Sequence, residues 1–232
     1  MTNSLSVLAP QNTALSNVDD KLFDDLTRNK GYLGRMQLYS KGSAINHGLV
    51  GPGEYGIPDG DDKIIRLGKN VDVLPLARRV KALDMSDKEN IISVYDPKDP
   101  EFARIRDKAG EKDSGCMFGV SFLVFERKTG RFLEFFCGTK TSRAEAGKIY
   151  DFLPHVDKEG VPQPPRAITL GSRVIDSGAY SWHGSTIAEC STPISNLPAV
   201  EELQKEIDSF LNPKTEKTEK ADEAAVSNRR AR

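Results

Sequence analysis

The sequence is poor in cysteine, histidine and aromatic residues, and it has no excess of either charge. Three cysteines in 232 residues, Cys116, Cys137 and Cys190, are too few and too far apart for a disulfide framework, and an odd count fits a reducing compartment. There is no Asn-x-Ser/Thr glycosylation acceptor. The three histidines, His47, His155 and His183, form no HxxxH pair with one another, and no CxxC exists. A tetrahedral zinc site needs about four convergent ligands, so no metal is expected. No apolar run reaches the roughly 18 residues that a membrane span requires. Met1 to Pro10 lacks a basic stretch followed by an apolar one, so no secretory signal is expected. These absences point to a cytoplasmic protein, intracellular and reducing (the host cytoplasm, if the chain is viral), with no membrane partner. The formal net charge of −1 excludes a chain that coats nucleic acid by bulk positive charge, but not a local basic groove.

Catalytic signatures are missing as well. Neither G-x-S-x-G nor H-E-x-x-H occurs, and no nucleophile has a recognisable base, so no catalytic residue is assigned and no enzyme is expected. Gly51-Pro52-Gly53-Glu54-Tyr55-Gly56 matches the dinucleotide-binding pattern G-x-G-x-x-G. That motif must open a helix whose N-terminus holds a pyrophosphate, and Pro58, Asp59 and Gly60 follow at once, so the glycines read as turns. Gly110 and Gly115 have P-loop spacing, but Cys116-Met117 stand where Lys and Ser/Thr are required. No cofactor is expected.

What is present is a chain patterned mainly for strands. Residues 1–30 are polar and read as a flexible N-terminal segment. Residues 212–232 contain no aromatic residue and only Val226 as a large aliphatic. They cannot offset their ordering entropy and read as a disordered tail. Between them, 31–211 reads as one domain. Period-2 alternation predicts strands at 35–39, 64–67, 71–85, 91–95, 120–126, 132–137, 167–176 and 180–190. Strand 71–85 is expected to bury Leu74, Leu76, Val80 and Ala82 on one face, with Ala77, Arg79 and Lys81 on the other. Strand 167–176 is expected to bury Ile168, Leu170 and Val174, opposite Arg173. Arg127-Lys128-Thr129-Gly130 makes a hairpin turn. Phe102 and Ile105 mark a short helix from Pro100 to Lys108. Ser142 and Glu145 form a capping box for a helix reaching Leu153, ended by Pro154. Val200, Leu203, Ile207 and Phe210 give 199–211 an amphipathic helical face.

Three strands, a helix and two strands is the element order of an OB-fold, a five-stranded, partly open barrel. The expected fold is therefore mainly β: an OB-like five-stranded barrel with a large insertion, 86–118, between its first two strands, and flanking helices. Charge is partitioned along the chain. Residues 71–85 hold three basic and two acidic residues and 119–153 hold six and four, whereas 191–211 hold one and four. Positive charge thus sits on the expected barrel.

Aromatic residues interleaved with basic ones on strands are what a single-stranded nucleic acid needs: rings for base stacking and cations for phosphates. The candidate stacking residues are Tyr180 and Trp182, two apart, with Tyr39 and Phe136. The candidate phosphate contacts are Arg79 and Lys81 on the long strand, Arg173 on a later strand, and Lys140 and Arg143 at the start of the capped helix. Arg127, Lys128 and Arg131 at the hairpin tip are equally compatible with a solvated turn.

Four stretches carry a resemblance: Asp113-Ser114-Gly115-Cys116-Met117-Phe118-Gly119, Phe122-Leu123-Val124, Lys140-Thr141-Ser142-Arg143-Ala144-Glu145-Ala146 and Tyr180-Ser181-Trp182-His183-Gly184. Over about 33–195 the chain resembles phage-type single-stranded DNA-binding proteins with an OB-fold. The resemblance implies non-catalytic protection of single-stranded DNA in replication or recombination, with DNA contacts at Trp182 and Tyr180 and replication or recombination proteins as partners. Many such proteins end in an acidic tail with a terminal aromatic residue. Here 212–232 holds six basic and four acidic residues and closes on Arg229-Arg230-Ala231-Arg232, so recruitment by such a tail is not expected. The alternative expectation is a structural or interaction module, such as a virion or scaffold component, whose aromatic face meets another protein chain.

Overall fold

Alternation of apolar and polar residues is realised as strands where the sequence predicts them. The computed structural model describes residues 33–59, 63–87, 91–111, 113–178, 180–192, 194 and 196–213. The expected N-terminal segment and nearly all of the expected tail therefore lie outside the described residues. The elements are β1 (Gly34–Tyr39), α1 (Ser43–Asn46), β2 (Glu54–Pro58), β3 (Ile64–Gly68), β4 (Val71–Asp84), β5 (Ile92–Val94), α2 (Pro100–Lys108), β6 (Cys116–Glu126), β7 (Arg131–Cys137), α3 (Lys140–Ala146), a 3-10 segment (Gly147–Phe152), β8 (His155–Val156), β9 (Pro162–Gln163), β10 (Ile168–Asp176), β11 (Ser181–Glu189) and α4 (Val200–Leu211). No helix among the described residues is long and apolar enough to cross a membrane.

The fold is mainly β, built on one large mixed sheet. The strand order is β11-β10-β4-β6-β7-β1-β2-β3, with β5 also on β4, while β8 and β9 pair separately. Every pairing in the large sheet is antiparallel except β1 on β7, which is parallel. This sheet is larger than a five-stranded barrel, and its ladder does not return on itself. Instead its two ends meet through side chains. The Tyr55 hydroxyl on β2 donates to the Gly171 carbonyl on β10 at 2.9 Å. Ser172 Oγ donates to the Gly53 carbonyl at 2.7 Å, and the His183 N–H on β11 donates to Ser40 Oγ at 2.7 Å. Gly53, with φ of 77°, lets the His183 ring lie against the backbone, since a Cβ there would come within 2.5 Å of the ring. The G-x-G-x-x-G stretch thus runs through a turn into β2 and opens no helix, as the residues after it require.

Strand β4 departs from simple alternation. A bulge falls between Pro75 and Ala77, where proline has no N–H to give to the ladder. The extra residue puts Leu74, Leu76 and Ala77 into one cluster with Leu123, Phe125, Leu203 and Phe210 of α4. The expected face of Leu74, Leu76, Val80 and Ala82 is therefore broken: Val80 is 39% exposed, and Ala82 joins Val94, Phe102, Ile105 and Cys116 in the lobe formed by β5 and α2. The principal core lies on the opposite side of the sheet. There Met36, Tyr55, Val73, Phe122, Val124, Phe135 and Ile168 pack with Ala146, Ile149 and Leu153.

The helices follow their local signals with one shift of register. Asp99 caps α2 by accepting from the Glu101 N–H at 2.8 Å, with Pro100 just inside. The capping box of α3 lies three residues earlier than Ser142 and Glu145. Thr139 is the N-cap, and Ser142 is the residue that reaches back to it. Glu145 is released from capping and becomes a buried ion-pair residue (see below). The helix tightens to 3-10 geometry at Gly147.

The β2–β10 seam can be tested at Tyr55. Tyr55→Phe removes a donor and leaves a buried carbonyl unpaired, which costs about 1–3 kcal/mol. The urea midpoint is expected to fall by the corresponding amount with an unchanged m-value.

Candidate nucleic-acid interface

The nine residues singled out from the sequence divide between two opposite faces of the sheet. The bulge in β4 sets the division, because it turns Arg79 and Lys81 toward α4 and leaves their neighbour Arg78 on the other side.

On the α4 face the cations are consumed internally. Lys81 is only 5% exposed, and its ammonium lies 2.7 Å from Glu134 of β7. Arg79 approaches the same carboxylate at 3.6 Å. Its guanidinium lies between the rings of Tyr95 and Phe210, 3.7 and 4.1 Å from their centroids, and donates to the Phe210 carbonyl at the end of α4. Ser121 Oγ completes the cluster by donating to Glu134 at 2.5 Å. Burial by itself raises the Glu134 carboxyl. Lys81, Ser121 and Arg79 outweigh that effect and hold it below the ordinary value. Arg79 and Lys81 are therefore not free phosphate contacts as placed. Arg79 ties α4 to the sheet through Phe210, and Lys81 holds Glu134 beside it. Phe136, half-buried, shares this face, with Arg35 and Lys81 5.4 and 5.5 Å from its ring centroid. Tyr39 is half-buried over Gly56 of β2, and burial raises its phenol.

The remaining candidates gather around α3. Strand β10 pairs with β4 only from Ile168 to Leu170. Beyond that point β10 and β11 continue as a two-stranded arm, tied at Gly171, Ser172 and His183 to Tyr55, Gly53 and Ser40. Val174 is consequently 62% exposed rather than buried with Ile168 and Leu170. The arm leans on α3. Thr141 closes on Gly184, where a Cβ would come within 3.3 Å of the threonine methyl. Arg173 lies 3.4 Å from the buried Glu145, which Lys148 also meets at 2.6 Å. Trp182, two residues before Gly184 and so on the same strand face, is half-exposed. Tyr180 precedes β11, lies in the turn at the tip and is 71% exposed. Lys140 is exposed at the start of α3.

Arg143 reaches from α3 to β6. It donates to the carbonyls of Phe118 and Gly138 at 2.8 and 3.4 Å, and its guanidinium lies 4.5 Å from the Phe118 ring centroid. Backbone carbonyls and a ring orient this cation without cancelling its charge. Phe118 was not among the residues chosen from sequence. Its signal was available, an aromatic residue two before Val120 on a strand, but its pairing with Arg143 depends on a chain reversal.

At the hairpin tip, Glu126 accepts from the N–H groups of Lys128 and Thr129 at 2.8 and 2.7 Å, and Arg127 pairs with Asp72 at 3.3 Å. These contacts make it an internally braced turn. Among the described residues no group of His, Cys, Asp and Glu side chains converges to hold a metal.

The Glu134 cluster gives a stability prediction with a defined sign. Glu134→Ala leaves Lys81 buried without its partner and should cost about 3–5 kcal/mol. Because the folded carboxyl is held below its ordinary 4.5, its contribution is present above that pH and is lost as pH falls through the folded value. Urea denaturation of wild type and variant from neutral to acid pH should show the gap between them narrowing below about pH 4.5.

Comparison of the chain with protein-family models, with curated proteins and with solved structures finds no match.

Proposed function

We propose that this protein is a non-catalytic, sequence-tolerant single-stranded DNA-binding protein of replication or recombination, built as an OB-like barrel with added strands. The barrel reading is supported by the pairings β4–β6, β6–β7, β4–β10 and β10–β11 with α3 between β7 and β10. The expected insertion carries β5 and α2 in the connection from β4 to β6, and β1–β3 extend the sheet beyond β7.

The observation that carries the functional reading is the convergence on α3. Trp182 and Arg173 from the arm, Lys140 and Arg143 from the helix, and Phe118 from β6 lie on neighbouring elements. The exposed cation Lys140 and the ring-held cation Arg143 have no carboxylate partner among the described residues. Rings and unneutralised cations are the two requirements of a sequence-tolerant single-strand site.

Labelled oligo-dT should bind with an affinity that falls as salt rises, because each phosphate contact releases counterions. Trp182→Ala should weaken binding by about 1–3 kcal/mol while leaving the thermal transition in place. Equal affinity for duplex, or self-assembly with no oligonucleotide affinity, would overturn the proposal, and the second result would favour the interaction-module reading.

A further inference from the structure

Past the bulge the β4–β6 ribbon, flanked by β7 on one side and β5 on the other, carries two patches of core on one face, the principal core around Phe122 and the α2 lobe around Ala82, with a gap between them at Val80. Three cross-strand rows lie on that face: Arg78 opposite Phe122, Val80 opposite Val120, and Ala82 opposite Phe118. The first and last rows each carry a guanidinium seated on a ring. Arg78 is exposed, and its Cζ lies 4.0 Å from the centroid of Tyr150 in the 3-10 segment. Tyr150 is in turn held against Phe122, with centroids 6.0 Å apart. Arg143 lies over Phe118 at the other end. Four residues of antiparallel strand separate the end rows, about 14 Å. Between them Val80, 39% exposed, and the half-buried Val120 make an apolar floor.

Arg78 differs from its neighbour Arg79 in what restrains it. Arg79 is enclosed by Glu134, Tyr95 and Phe210. Arg78 has no carboxylate partner among the described residues, and the Tyr150 ring fixes it while leaving its full charge and its outer edge to solvent. An aromatic ring attracts a cation through its quadrupole and does not neutralise it. A guanidinium restrained in this way is preorganised for a phosphate, with less rotamer entropy to lose when one binds.

We infer that Arg78, backed by Tyr150, is a phosphate-binding subsite that extends the single-strand interface from α3 along the β4–β6 ribbon. Arg143 and Arg78 hold phosphates at the two ends, and Val80 and Val120 receive an apolar base face between them. The inference rests on the single-strand reading above and adds a subsite to it.

The test is a fluorescence-anisotropy titration of labelled oligo-dT with the full chain, over a series of salt concentrations. Wild type, Arg78→Ala and Arg78→Lys are compared, with thermal melts as the folding control. Loss of one phosphate contact should lower the slope of log affinity against log salt by about 0.7 and weaken binding about fivefold near 0.1 M salt. Arg78→Ala should show both effects with an unchanged melt, and Arg78→Lys should recover the slope. If wild type binds and Arg78→Ala binds with the same affinity and slope, the subsite is wrong and the broader reading stands. A slope that Arg78→Lys fails to recover also overturns it, because the role of Arg78 is then not that of a charge. If folded wild type does not bind at all, the single-strand reading falls, and the subsite falls with it.

Discussion

The long antiparallel ladder between β4 and β6, and the bulge within it, is the constraint on which the rest of the structure depends. One half of the ladder, from Val73 opposite Glu126 to Ala77 opposite Leu123, lies in the body of the protein between the main core and α4. The other half, to Asp84 opposite Cys116, carries the β5–α2 lobe. The extra residue at Pro75–Ala77 reverses the phase of β4 relative to simple alternation, and a one-residue shift moves every later side chain to the other face. That shift sends Arg79 and Lys81 beneath α4 and leaves Arg78 and Val80 outside. Without it, the ion cluster that seats α4 and the cation on the open ribbon face would exchange places.

The two faces of the ribbon then handle positive charge in opposite ways. Under α4, water is excluded, and a buried ammonium is tolerated only with a hydrogen-bonded counter-charge. Glu134 supplies it to Lys81, Ser121 occupies its second oxygen, and Arg79 joins at longer range. The cluster is satisfied from within and has little to offer a ligand. On the open face, Arg78 and Arg143 are held by Tyr150, Phe118 and two backbone carbonyls. Their positions are fixed while their charges remain available. The same residue types therefore serve cohesion on one side of a strand pair and recognition on the other.

Local signals in the sequence were sufficient for most elements. Asp99-Pro100 marks the start of α2, and Phe102 and Ile105 supply its buried side. The spacing of Leu203 and Phe210 identifies α4. Arg127 to Gly130 gives the β6–β7 turn. What the sequence hid depends on partners distant along the chain. The parallel docking of β1 on β7 brings Gly34–Met36 against Leu133–Phe135, and no local pattern encodes it. The sites of Arg79 and Lys81 depend on Glu134 and Phe210, which lie 53 and 131 residues from the cations they meet. Val174 is exposed, against the expectation from alternation, because alternation reports which residues share a face, not where the covering strand ends. The capping box lies three residues before the expected one because Ser142 can serve either as cap or as the third residue of the first turn, and Thr139 takes the cap.

Placement around α3 also accounts for the near-zero net charge. Helix α4 carries Glu201, Glu202, Glu206 and Asp208 against Lys205, and it packs on the side of the sheet away from Arg143 and Arg78. Its field is farthest from the cations that remain exposed and nearest to those already paired. On the open side, Glu145 is the buried carboxylate of α3, and it is engaged by Arg173 and Lys148. An overall charge of −1 can therefore coexist with an interface at which Lys140, Arg143 and Arg78 have no carboxylate partner among the described residues. Electrostatic steering depends on the local potential at a face rather than on the molecular total. Arg143 and Arg78 flank the gap at Val80 that neither the principal core nor the α2 lobe fills on this side of the ribbon.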